Sequence, residues 1–115
     1  MSTSYLQRLV EVMDQLRSPG GCPWDAEQTH ESLIKYLLEE SYEFIDTVAE
    51  DDRAGMREEL GDILLQVYFH SRIAQDHPTD PFSIEDVAHV ITEKLISRHP
   101  HVFGDKKVSG TDEVV

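Results

Sequence analysis

Two stretches of this chain crowd carboxylates at helical spacing: Glu39, Glu40 and Glu43, then, beyond Asp51-Asp52, Glu59 and Asp62. What they can do depends on the helix face each occupies. With about 100° per residue and Leu33 at zero, Leu37, Phe44 and Val48 fall at about 40°, 20° and 60° and define an apolar stripe. On that wheel Glu40 lies at about 340°, inside the stripe, Glu43 at about 280° on its flank and Glu39 at about 240°. On the next helix, with Met56 at zero, Leu60, Ile63, Leu64 and Val67 span about 340° to 80°, with Glu59 near 300° and Asp62 near 240°.

A carboxylate on an apolar stripe is costly unless something neutralises it. Each helix offers an i,i+3 pair, Glu40/Glu43 and Glu59/Asp62, and an antiparallel hairpin turns the pairs toward each other. Four acids around one void repel unless cations sit among them. All-oxygen ligands match a hard divalent cation, Mg²⁺ with Mn²⁺ as a substitute. Redox iron is disfavoured, because ferritin-like sites use Glu-x-x-His pairs and none of Glu40, Glu59 and Asp62 has a His three residues on. The competing reading is ordinary solvated helix surface, strongest for Glu39.

The elements that must position these groups are all helical. Leu6, Leu9, Val10, Met13 and Leu16 give a first helix over Ser4 to Arg17, with Ser4-x-x-Gln7 as a capping box. Ser18-Pro19-Gly20-Gly21-Cys22-Pro23 forbids a regular element. Asp25-x-x-Gln28 reads as the cap of a second, long helix to about Glu50, and Asp51-Asp52 breaks and recaps the chain. A third helix follows over about Arg53 to Gln75. A fourth, capped by Ser83-x-x-Asp86, ends near Arg98, before Pro100. From His99 to Val115 no periodicity remains, which predicts an extended segment. Four helices with short loops predict an all-α antiparallel four-helix bundle.

The motifs together are similar to those of a known family. Glu39-Glu40-Ser41-Tyr42-Glu43 followed by Glu59-Leu60-Gly61-Asp62 resembles the EExxE…ExxD signature of the MazG-type nucleoside triphosphate pyrophosphohydrolases. Gly21-Cys22-Pro23-Trp24-Asp25-x-x-Gln28-Thr29 and Glu93-Lys94-x-x-x-Arg98-His99-Pro100-His101-Val102-Phe103-Gly104-Asp105 extend the likeness, toward MazG proper rather than its dUTPase or phosphoribosyl-ATP branches. The resemblance assigns residues 1–105 to a MazG-like domain and leaves 106–115 as an extended or flexible tail. It implies Mg²⁺-dependent hydrolysis of NTPs or dNTPs, non-canonical ones included, to monophosphate and pyrophosphate by an all-α enzyme that is at least a dimer. It also implies that Glu40, Glu43, Glu59 and Asp62 are metal ligands, that Glu39 assists in activating water, and that Lys94 and Arg98 contact phosphates. The family pattern continues past the His-Pro-His-Val-Phe-Gly-Asp stretch into a Trp-containing segment, absent from these 115 residues. The alternative class is a catalytically weak nucleotide-binding or regulatory helical module.

Other residues carry weaker signals. Trp24 stacks on a base or, as the favoured reading, plugs the end of the bundle. Lys35 is either solvated or a phosphate contact. His99-x-His101 has the look of a metal pair but spans a proline, so packing is favoured over zinc. His70, near 320° on the third helix, reads as a partly buried polar residue. Gly61 inside a helix costs about 1 kcal/mol against Ala, which a close neighbour would explain. Leu65, Phe69 and Ile73 form a second apolar arc opposite the core stripe, an expectation of at least a homodimer.

Composition bounds the partners. There are 23 acids against 10 bases, a formal charge of −13, which repels nucleic acid and anionic membranes. A phosphorylated small substrate needs metal or local Lys/Arg to reverse the field. The single cysteine, Cys22, excludes an internal disulfide framework. With no apolar run of membrane-spanning length and no secretory leader pattern, the expected compartment is the cytoplasm.

Overall fold

The computed structural model describes residues 4–104, and every regular element among them is a helix. These are α1 (Tyr5–Arg17), α2 (Pro23–Glu27), α3 (His30–Ala49), α4 (Arg53–Ala74), α5 (Ile84–Arg98) and α6 (Pro100–Phe103). The expected tail over 106–115 lies outside the described residues.

Ser4 Oγ caps α1 by accepting from the amides of Leu6 and Gln7 at 3.2 and 3.4 Å. The turn after α1 depends on two glycines. Gly20 adopts φ +87°, and a Cβ on Gly21 would collide with the carbonyls of Gln15 and Leu16. The chain then folds back closely enough for Cys22 N to donate to Leu16 O at 2.8 Å.

The second helix expected from the sequence is two helices, and its cap is not Asp25. Continuous helix would send the Asp25 and Gln28 carbonyls to the amides four residues on. Arg17 Nη1 instead donates to both carbonyls, at 2.7 and 3.2 Å. The Thr29 amide donates to Ser32 Oγ at 2.9 Å and the Ser32 amide to Thr29 Oγ1 at 3.1 Å, a reciprocal cap that restarts the chain as α3. The other boundaries match the sequence reading. Asp51 takes φ 51° between α3 and α4. Asp52 Oδ1 accepts from the Gly55 amide at 3.0 Å, and Ser83 with Asp86 boxes the start of α5. The segment after Arg98 is not extended up to Gly104: Pro100 starts the one-turn helix α6, as a proline at the first helical position favours.

α3 and α4 form a long antiparallel hairpin, and α1 and α5 both lean on α4. At one end of the hairpin Met13, Leu33 and Phe69 meet in the buried core, with Leu16, Tyr36 and Ile73 packed around it. Arg72 Nε donates to Asp14 Oδ1 at 3.1 Å and ties α1 to α4. This corrects two of the three residues of the apolar arc assigned to an oligomer contact: Phe69 and Ile73 pack in the core of the same chain against Met13 and Leu16 of α1, while Leu65 stays exposed. Large apolar side chains stay exposed elsewhere, Ile34, Leu38, Tyr42 and Ile45 along α3 and Val90, Ile91 and Leu95 on α5. Among the described residues, no helix is long and apolar enough to cross a membrane.

Candidate metal centre

The hairpin brings the two acid pairs together. One carboxylate oxygen from each of Glu40, Glu43 and Glu59 lies within 4.8 Å of the others. Asp62, half-buried on the same helix as Glu59, raises the proton affinity of Glu40 by like charge and hydrogen bonding and that of Glu59 by like charge. Oε2 of Glu40 and Oε2 of Glu59 are both buried without a hydrogen-bond partner. Burial, then the like charges of Asp62 and Glu43, push the Glu40 carboxyl up to about 7. Glu59 is raised as well, by burial first and then by Glu43.

Buried anionic oxygens without donors are costly, and a divalent cation is the partner that satisfies several at once. The donor set is oxygen only, so the residues present fit Mg²⁺ or Mn²⁺. Glu39 is exposed and lies outside the cluster.

The structure does not bring the expected phosphate-contacting bases into that cluster. Lys94 and Arg98 are exposed on α5, and neither side chain makes an ion pair among the described residues. Lys35 Nζ sits over the Tyr36 ring, 5.0 Å from its centroid. Trp24 is half exposed and meets Tyr36 edge-on, with centroids 6.2 Å apart. His99 Nδ1 donates to Leu95 O at 2.6 Å, and the His99 and His101 rings are tilted 5.5 Å apart. Gly61 has open space where a Cβ would stand, so no neighbour among the described residues explains it.

Two polar residues of the α3–α4 hairpin escaped the sequence reading. Gln66 is 6% exposed on α4 and its Oε1 has no partner. His30 stacks on His70, with Nδ1 atoms 2.7 Å apart and ring planes 3° from parallel. His70 is half-buried as expected, and burial, then His30, lowers its proton affinity. A signal for Gln66 was available, since on the Met56 wheel it falls near 280°, between Asp62 and Glu59.

Residues 28–103, which span the paired acids, match the MazG nucleotide pyrophosphohydrolase domain. The chain belongs to this family. It is 57% identical over 99 residues to the nucleoside triphosphate pyrophosphohydrolase/pyrophosphatase MazG of Thermotoga maritima, covering 86% of this chain and 38% of that protein. To the nucleoside triphosphate pyrophosphohydrolase of Escherichia coli it is 43% identical over 113 residues, 97% of this chain and 42% of the other. The crystal structure of a mazG-related protein from Thermotoga maritima superposes with a TM-score of 0.72 at 30% identity, covering 93% of this chain and 90% of that one. The present chain thus spans about two fifths of the length of these two curated relatives.

Proposed function

We propose that this MazG domain hydrolyses nucleoside triphosphates to the monophosphate and pyrophosphate, with Glu40, Glu43, Glu59 and Asp62 holding Mg²⁺. The observation that carries this reading is the facing of two acid pairs with two orphaned buried oxygens. Mg²⁺ at this centre would supply charge neutralisation for the phosphates and acidity to a water attacking the α-phosphorus. The chain's own contribution is to fix the carboxylates on two rigid helices and keep them partly dry, so that the site is strongly anionic only when no cation is bound. The exposed cations Lys94 and Arg98 of α5, the helix that packs on α4, would meet the departing pyrophosphate. Lys35 is a further candidate for phosphate contact and Trp24 for stacking on a base. Glu39, being exposed, would influence water only indirectly. The proposed compartment is the reducing cytoplasm, in keeping with one free cysteine.

The test is the identity of the products. GTP incubated with the protein and Mg²⁺ is expected to yield GMP and pyrophosphate in equal amounts, resolved by ³¹P NMR. GDP and orthophosphate would overturn the assignment, and no hydrolysis would favour a regulatory module.

The same reading includes an oligomer, at least a dimer. The exposed apolar residues of α3 recur at i, i+4, i+8 and i+11, a continuous stripe on one helix face. Such a stripe is stable in water only when covered, and two-fold pairing is the commonest closure. Light scattering at micromolar protein is expected to report at least twice the chain mass of 13.2 kDa; a monomer would contradict it.

A further inference from the structure

One cavity near the acids is not used by the chemistry above. It has a volume of about 270 Å³ and is lined by Leu37 of α3, Gln66, Val67, His70 and Ser71 of α4, Phe82 just before α5 and Val87 in its first turn. We propose that this cavity is a nucleobase pocket and that the Gln66 carboxamide reads the edge of the base. The proposal deepens the reading of the acid cluster as a nucleotide-hydrolysing site and rests on it.

Three observations support it. The first is position. Leu37 precedes Glu40 by three residues and Gln66 follows Asp62 by four, so the near edge of the cavity lies about 4.5–6 Å along the hairpin from the acids. That is the order of separation a sugar imposes between an α-phosphate and its base. Glu59, Asp62 and Gln66 also share one arc of α4, about 60° wide. The second is shape and polarity. The walls are mostly apolar, with one aromatic ring, Phe82, and they suit the faces of a flat heterocycle. The third is Gln66 itself. It is 94% buried, lines the cavity and leaves Oε1 without a hydrogen bond. A carboxamide offers one acceptor and two donors, the complement of a base edge, and burying it unpartnered is costly unless a ligand completes it. His70 cannot take the same part with both nitrogens, because its Nδ1 is already turned to His30 Nδ1.

The experiment compares kcat/KM for ATP, GTP, CTP, UTP and base-free ribose 5-triphosphate in wild type and Gln66→Met. Methionine keeps the volume and suits a buried site, so folding is preserved. The ratio between the best and worst base is expected to shrink by about tenfold or more, since a site built to hydrogen-bond its ligand discriminates by that bond. Turnover of ribose 5-triphosphate should not change. An unchanged base ranking would overturn the pocket while leaving the hydrolytic reading intact. If wild type hydrolyses none of the five, the hydrolytic reading fails. The pocket is then decided by NMR of ¹⁵N-labelled protein titrated with the four free nucleosides. Selective shifts of the Gln66 side-chain amide support it, and their absence overturns it.

Discussion

Glu40→Gln is expected to lower NTP turnover by about 10²–10³-fold or more, the scale of losing one preorganised electrostatic group, with the helical fold retained. The substitution keeps shape and hydrogen-bonding capacity but removes the charge of a partly buried carboxylate in the cluster. Pyrophosphate release under saturating Mg²⁺ measures it, and Glu50→Gln, at the exposed C-terminal end of α3, is the control that should leave turnover unchanged. The same residue sets a pH dependence for the metal-free protein. Its carboxyl is raised from the ordinary 4.5 to about 7 in the fold. Below 4.5 folded and unfolded states both hold the proton. Between 4.5 and about 7 the folded state keeps a proton that the unfolded state has released, so stability falls as pH rises through that window. Denaturant titrations in EDTA at pH 5 and pH 8 should show wild type weaker at pH 8, with the difference reduced in Glu40→Gln. A wild-type difference that survives the substitution unaltered would assign it to other groups.

Phe69→Ala is expected to cost about 3–5 kcal/mol, the range for truncating a buried aromatic. Phe69 is 3% exposed and shares the core with Met13 and Leu33, the two most deeply buried large side chains among the described residues. Its ring also carries the Arg17 guanidinium at 5.8 Å, and Arg17 holds α2 to the end of α1. Small domains have about 5–15 kcal/mol in total, so the melting temperature should fall by about 10–20 °C or more. Circular dichroism melts measure this. A change of only a degree or two would return Phe69 to an outward-facing arc and contradict the packing of α1 over α4.

That arc shows where sequence periodicity stops short. The wheel places Glu40, Glu43 and Glu59 on facing arcs, and the structure groups these three with Asp62 close enough to act on Glu40 and Glu59, because side-chain direction along a helix is local and two helices joined by Asp51-Asp52 can only fold back on each other. It could not say which face α1 would cover, since that depends on a loop turned by Gly20 and Gly21 and locked by Arg17. The Asp25 cap was misread for the same reason. The residue that decides the boundary, Arg17, lies eight positions away and acts by taking two carbonyls. The cap is instead the reciprocal pair Thr29 and Ser32. Gly61 has no neighbour among the described residues, and the stripe Ile34, Leu38, Tyr42 and Ile45 on α3 stays exposed.

The central claim is that the clustered carboxylates repel one another until a divalent cation joins them. Thermal melts of wild type and Glu40→Gln, each in EDTA and in Mg²⁺, test it most directly. In EDTA, Glu40→Gln should melt about 3–5 °C higher than wild type, because one of several crowded like charges is gone. In Mg²⁺ the order should reverse, because binding to the folded state stabilises wild type more than the variant. A variant that melts lower than wild type in EDTA and shows the same Mg²⁺-induced shift would make Glu40 a structural acid and remove the metal centre at its middle.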